Sequence, residues 1–219
     1  MVCVLVLCWW GASLEAAPSP EKVLKKVEAF YGRLKALSGN FTQEVYWRRG
    51  LSVEASGGSF WFQKPDHLRW EYRYPEKILI VCDGKRVYFY AEVDRQVSIF
   101  PVKRAFSRPV LKFLSGSGKL EEDFEILSGE LGPNGDYFLE LRPREQTQIS
   151  RLKLRVKVST GEVREVWYWD LLGNLTHLLL EDLRKNPRLP PKLFTFTPPP
   201  GTEIISPTQP GPSRPQPAP

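Results

Sequence analysis

Over residues 41–183 apolar side chains recur at every second position, and turn signals interrupt the run about every ten residues. That period belongs to strands, because successive strand residues point to opposite faces. The segment 67–73 shows it best. Leu68, Trp70 and Tyr72 fall on one side, and His67, Arg69, Glu71 and Arg73 on the other. Such sidedness describes an antiparallel strand with one face buried. Residues 78–82, a turn at Asp83-Gly84 and residues 85–90 spell a hairpin. Further strands are predicted over 95–101, 124–127, 137–141, 152–158, 163–169 and 175–183, with turns at Thr160-Gly161 and Gly173-Asn174. Phe194-Thr195-Phe196 closes the folded part. Even turn spacing without intervening helices points to a mainly β (α+β) chain, a barrel or sandwich.

Helical spacing occurs twice. Over 20–37, Ser19 can cap, Pro20 suits a first turn, and Val23, Leu24, Val27, Phe30, Tyr31 and Leu34 recur on one face. Over 108–114, Pro109 precedes Val110, Leu111, Phe113 and Leu114, and Ser115-Gly116-Ser117-Gly118 follows. The ends read differently. Residues 2–14 are an apolar run too short to span a bilayer, followed by Ala16 and Ala17. Residues 1–16 are therefore expected to be a secretory signal, although no Lys or Arg precedes the run. Leu7 before Cys8 is not the small residue that a lipidated cysteine needs. Residues 206–219 carry Pro207, Pro210, Pro212, Pro215, Pro217 and Pro219 and read as an extended tail. One folded domain over 17–205 remains. It holds a lone cysteine, Cys82, which cannot form an internal disulfide and is expected to be a small core residue.

Chemistry is scarce along this chain. Its 31 basic and 25 acidic residues give a net charge of +6, spread out rather than clustered, which argues against nucleic-acid binding. His67 and His177 have no Cys or carboxylate at metal-ligand spacing, so no metal is expected. No glycine-rich phosphate loop opens a helix, and Gly57-Gly58 inside a β pattern reads as a bulge. Glu121-Glu122-Asp123 looks like a solvated turn. The sequence therefore predicts no catalytic residue, no cofactor and no enzyme. What it has in excess is apolar surface: Trp47, Trp61, Trp70, Trp167 and Trp169 join eight tyrosines and twelve phenylalanines. Either a second protein layer covers that surface, as in an ordinary sandwich, or a ligand fills it.

Several segments, taken in order, resemble a known family. They are Phe41-Thr42-Gln43, then Gly58 through Pro65 (Gly-Ser-Phe-Trp-Phe-Gln-Lys-Pro), then Leu68-Arg69-Trp70. Asp83-Gly84-Lys85, Tyr88-Phe89-Tyr90 and Phe194 through Pro199 (Phe-Thr-Phe-Thr-Pro-Pro) complete the set. Their order and spacing are similar to those of the outer-membrane lipoprotein carrier proteins, the LolA family, over residues 20–202. The resemblance implies an incomplete antiparallel β-barrel of about ten or eleven strands, with an N-terminal helix and a short lid helix over a hydrophobic cavity. It implies a periplasmic monomer that receives triacylated lipoproteins from an inner-membrane ABC transporter. That carrier would hand them to an outer-membrane receptor. Phe60, Phe62, Leu68, Trp70 and Tyr72 would meet the acyl chains. Phe106, Leu111, Phe113 and Leu114 would form the lid. Lys64 stands where the family commonly has an arginine that latches the lid by hydrogen bonds to its backbone, and lysine offers a point charge rather than a planar fork.

Physics sets a demand on such a carrier. Exposing one chain of ~15 methylenes costs about 12 kcal/mol, and burying three completely would exceed the ~18–21 kcal/mol ceiling of reversible association. An open, wide, imperfectly filled cavity is therefore expected. Glutamate at Leu68 or Trp70 would abolish uptake while sparing the fold, if both face that cavity. A membrane-anchored receptor or a lipid-sensing domain of the same fold is the competing reading.

Overall fold

The computed structural model describes residues 17–48, 52–102 and 119–205. The expected signal, the helix expected over 108–114 and the proline-rich tail lie outside the described residues.

Helix α1 (Pro20–Arg33) starts where sequence chemistry places it: Pro20 occupies the first turn and Ser19 Oγ accepts from Lys22 N. It ends four residues earlier than the apolar spacing suggests. Leu34 is already extended, and Asn186 Oδ1 accepts from the backbone N–H groups of Lys35 (2.7 Å) and Ala36 (3.2 Å). Ala36 then opens strand β1 (Ala36–Trp47), so a tertiary partner overrides the local helical pattern.

Eleven further strands follow: β2 (Ser52–Gln63), β3 (His67–Tyr74), β4 (Ile78–Asp83), β5 (Arg86–Ala91), β6 (Gln96–Pro101), β7 (Phe124–Leu131), β8 (Asp136–Pro143), β9 (Ile149–Lys157), β10 (Glu162–Asp170), β11 (Leu175–Lys185) and β12 (Glu203–Ile205). The acidic triplet before β7 forms, with Leu120, a one-turn helix, α2 (Leu120–Asp123); Glu121 and Glu122 are solvent-exposed, as expected, while Leu120 is buried. All twelve strands form one sheet in the order β12-β6-β5-β4-β3-β2-β1-β11-β10-β9-β8-β7. Two meanders, β1–β6 and β7–β11, are thus joined where β1 pairs with β11. The expected ten or eleven strands become twelve because residues 203–205 add a short parallel strand beside β6. β7 and β12 do not pair with each other, so the sheet stays open.

The sheet curls around its apolar face. Phe41, Phe60, Leu68 and Cys82 from one meander share a single core cluster with Tyr137, Leu139, Leu154, Val156 and Val166 from the other. α1 contributes Val23, Leu24, Val27, Phe30 and Tyr31 to the same cluster. The opposite face of β4–β6 carries a smaller cluster of Val81, Tyr88, Tyr90 and Val97. Phe196, in the segment leading to β12, packs on it, with ring centroids 5.5 Å from both tyrosines.

One glycine is fixed by close approach. At Gly58 the β2–β3 register shifts, as expected of a bulge, and a Cβ there would lie 1.7 Å from the Glu71 carbonyl oxygen. Gly32, near the end of α1, has open space around it. Gly58→Ala is therefore expected to destabilise the fold by roughly 1–3 kcal/mol, whereas Gly32→Ala gains up to about 1 kcal/mol. Urea unfolding midpoints of the two variants check both signs.

Candidate functional site: the apolar interior beneath helix α1

Strand alternation puts the site's walls in place. Along β2, Phe60 and Phe62 are buried while Trp61 is only half-buried; along β3, Leu68 is buried and Trp70 and Tyr72 are partly so. Register aligns Phe60 with Trp70 and Phe62 with Leu68 across the two strands, which makes one apolar row. Phe60 stacks on Trp70 at 5.1 Å, and Phe41 of β1 lies against Trp70 (4.3 Å) and Tyr72 (5.0 Å). The five residues singled out in the sequence thus share one face, the face that packs on the core.

Within the curl lies a cavity of about 40 Å³. Its walls include Phe60 and Trp70, but also Tyr31 of α1, Phe124, and an opposing set from β9–β11: Leu152, Leu154, Val163, Val166, Leu178 and Leu180. Sequence reasoning missed this opposing set, although 152-154 and 178-180 carry the same alternation as 68-70-72. Among the described residues, the apolar interior does not hold the wide cavity expected from binding energetics. A space of this size has room for a few water molecules and for no part of a long acyl chain beyond its tip. The reason is α1, whose apolar stripe occupies the concave face.

Leu68 also departs from expectation. It is almost fully buried, packed in the core rather than against open space. A glutamate there would lose burial and packing together, so it would disturb the fold as well as the site. Of the five wall residues, Phe60 and Trp70 reach the cavity directly; Phe62, Leu68 and Tyr72 do not line it.

Lys64 connects wall and helix. It follows β2, and its backbone N–H donates to the Lys35 carbonyl. Its ammonium donates to the carbonyls of Tyr31 (2.8 Å) and Gly32 (3.1 Å) in the last turn of α1. The Tyr31 carbonyl also accepts from the Leu34 backbone N–H (3.2 Å), and a cation at this helix end is favoured by the helix dipole. Partial burial pulls the Lys64 ammonium below the usual lysine range. The Lys64 side chain is thus directed at the N-terminal helix. Phe106, Leu111, Phe113 and Leu114, expected as the lid, lie outside the described residues.

A second tie is deeper. Tyr31 Oη accepts from the Val163 backbone N–H at 3.3 Å, and burial pushes its phenol far above the ordinary range. Backbone proximity adds a third: at Gly161, in the β9–β10 turn, a Cβ would meet the Lys26 carbonyl oxygen at 2.2 Å.

The remaining reactive groups have structural surroundings. Cys82 is fully buried, and burial pushes its thiol up to about 11. His67 Nδ1 sits 2.6 Å from the Pro65 carbonyl oxygen, and the His177 ring stacks on Trp167 at 4.7 Å with Nε2 2.8 Å from Glu165. Among the described residues no three His, Cys, Asp or Glu side chains converge on a metal-sized site. A larger hollow of about 430 Å³ lies elsewhere, lined by Tyr90, Glu92, Arg95, Pro199, Pro200 and Thr202. It is open and polar, remote from the apolar interior.

An open, curled antiparallel sheet with a helix seated in its apolar concavity defines a half-barrel scaffold. The solved structure of an uncharacterised conserved protein from Thermus thermophilus shares this fold, with a TM-score of 0.55 at 14% identity over 85% of this chain and 98% of that one. Residues 32–197 match the family model for the outer membrane lipoprotein carrier protein LolA, and the chain belongs to that family. Relatives named outer-membrane lipoprotein carrier protein come from Nitrosomonas europaea (31% identical, 93% of this chain and 96% of that one) and Alkalilimnicola ehrlichii (33%, 80% of each).

The ammonium ties of Lys64 give a measurable expectation. Lys64→Ala leaves two carbonyls at the α1 terminus without this donor, so it should cost about 1–2 kcal/mol and speed amide exchange in the α1 backbone, while Lys64→Arg should restore most of both. Urea unfolding with hydrogen-exchange mass spectrometry reads out the two effects.

Proposed function

We propose that this protein is a periplasmic carrier that binds the acyl chains of lipoproteins released by an inner-membrane ABC transporter and passes them to an outer-membrane receptor. The observation that carries this reading is the seat of α1. An apolar face built from strands of both meanders is covered by one helix, held by backbone contacts, a tyrosine hydroxyl and a lysine. Cover of that kind is removable as a unit, and what it covers has the chemistry of a hydrocarbon site. Phe60, Phe62, Leu68, Trp70 and Tyr72 form the wall that acyl chains meet when α1 moves off it. In this reading Lys64 is the latch, and Phe106, Leu111, Phe113 and Leu114, outside the described residues, are the lid the family resemblance implies. Family membership supports the same reading.

The carrier's two-state character follows from the small cavity. Ligand binds only the state in which α1 has left the concavity, and its affinity is reduced by whatever fraction of molecules is closed. Weakening the tie at Lys64 should therefore raise apparent affinity for acylated cargo rather than lower it.

Depletion tests transport. Removing the protein should leave outer-membrane lipoproteins stranded at the inner membrane, and native mass spectrometry of the purified periplasmic protein should show bound triacylated cargo. Normal lipoprotein sorting after depletion would defeat the proposal. An acylated cysteine at the mature N-terminus would instead favour the anchored receptor.

A further inference from the structure

Twelve residues line the cavity, and only two of them carry a polar side-chain atom, Tyr31 and Trp70. The Tyr31 hydroxyl is engaged by Val163. The Trp70 indole Nε1–H is buried and meets no acceptor among the described residues; Trp47 Nε1, Ser52 Oγ and Thr202 Oγ1 share that condition but do not line the cavity. Buried donors are nearly always satisfied, so one left unmet in a folded protein calls for an explanation. Phenylalanine would provide the same stacked ring against Phe41 and Phe60 without the stranded proton. An indole at this wall position suits an occupant that brings an acceptor.

Acyl chains bring one acceptor each. The hydrocarbon has none, but every chain begins at an ester or amide carbonyl. Accordingly, we propose that Trp70 Nε1–H donates a hydrogen bond to an acyl carbonyl of the bound lipid and so selects carbonyl-linked chains over bare hydrocarbon. This inference rests on the carrier reading above and names the polar anchor of that site. A single donor in an otherwise apolar wall would also fix how far each chain enters, because the carbonyl must stop where the indole is. An otherwise apolar pocket discriminates poorly among hydrocarbons of similar size, whereas a site built around one buried donor penalises the analogue that lacks the acceptor.

The test compares two lipids that differ only in that carbonyl: a 1,2-diacylglycerol and the ether-linked 1,2-dialkylglycerol of the same chain length. Each is titrated against a fluorescent fatty-acid probe bound to the full-length protein. Wild type is expected to bind the ester lipid about three- to tenfold more tightly than the ether, the value of one hydrogen bond. In Trp70→Phe that preference should vanish, the two lipids binding with equal affinity. The indole N–H signal that disappears in Trp70→Phe should shift downfield with the ester and not with the ether in ¹⁵N NMR spectra of wild type.

Equal affinity of wild type for the two lipids would overturn the proposal, and this outcome needs no variant to fold. A preference that survives in Trp70→Phe would overturn it too. Failure of both lipids to displace the probe would remove the carrier reading as well, so the two failures are distinguishable.

Discussion

Everything else in this molecule depends on α1 lying in the concave face of the curled sheet. The sheet alone would present an apolar surface drawn from ten of its twelve strands, far larger than water tolerates on a folded monomer. α1 covers part of that surface with five buried side chains. Burying these is worth roughly 8–15 kcal/mol. One acyl chain of ~15 methylenes is worth about 12 kcal/mol. In the proposed carrier, helix and a single acyl chain would therefore be of similar worth in the contest for one surface. Near balance is what a protein that must both take and release cargo requires.

This view relocates the source of moderate affinity. The energetic argument from the sequence asked for a wide, poorly filled space, so that lipid would be held loosely. The structure instead fills the space with part of the protein. Affinity is then the difference between two good fits rather than the value of one poor fit. The ties at Lys64, Tyr31 and Gly161 set the closed state's share of that difference. They act on the helix backbone or on a strand N–H, so they fix the position of α1 without demanding particular side chains on its exposed face.

The β architecture was legible because period-two alternation is a direct consequence of the pleat. Leu68, Trp70 and Tyr72 were placed on one face from spacing alone, and the Gly57-Gly58 bulge was read from two glycines in a strand pattern. Three things were not legible. The end of α1 was overextended because Asn186, 150 residues away, competes for the backbone of Lys35 and Ala36. The parallel strand at 203–205 has no local signal, since three residues beside an edge are defined by their partner. The opposing wall at Leu152, Leu154, Leu178 and Leu180 carried the same alternation as the first wall, but which strands face each other across a curl is a matter of topology. Burial of Leu68 follows from the same blind spot: period two separates faces and says nothing about how closely the interior is filled.

The unpaired edges at β7 and β12 have a mechanical consequence. A closed barrel has its radius set by strand number and shear, so its interior is as rigid as its ladder. An open sheet is free of that condition. Its two meanders are hydrogen-bonded to each other along β1 and β11 and otherwise meet through side chains packed across the curl. Where a closed barrel's ladder fixes its bore, the interior here is bounded by side-chain packing across the curl, which a bulkier occupant of the proposed carrier would displace without unzipping a strand pair.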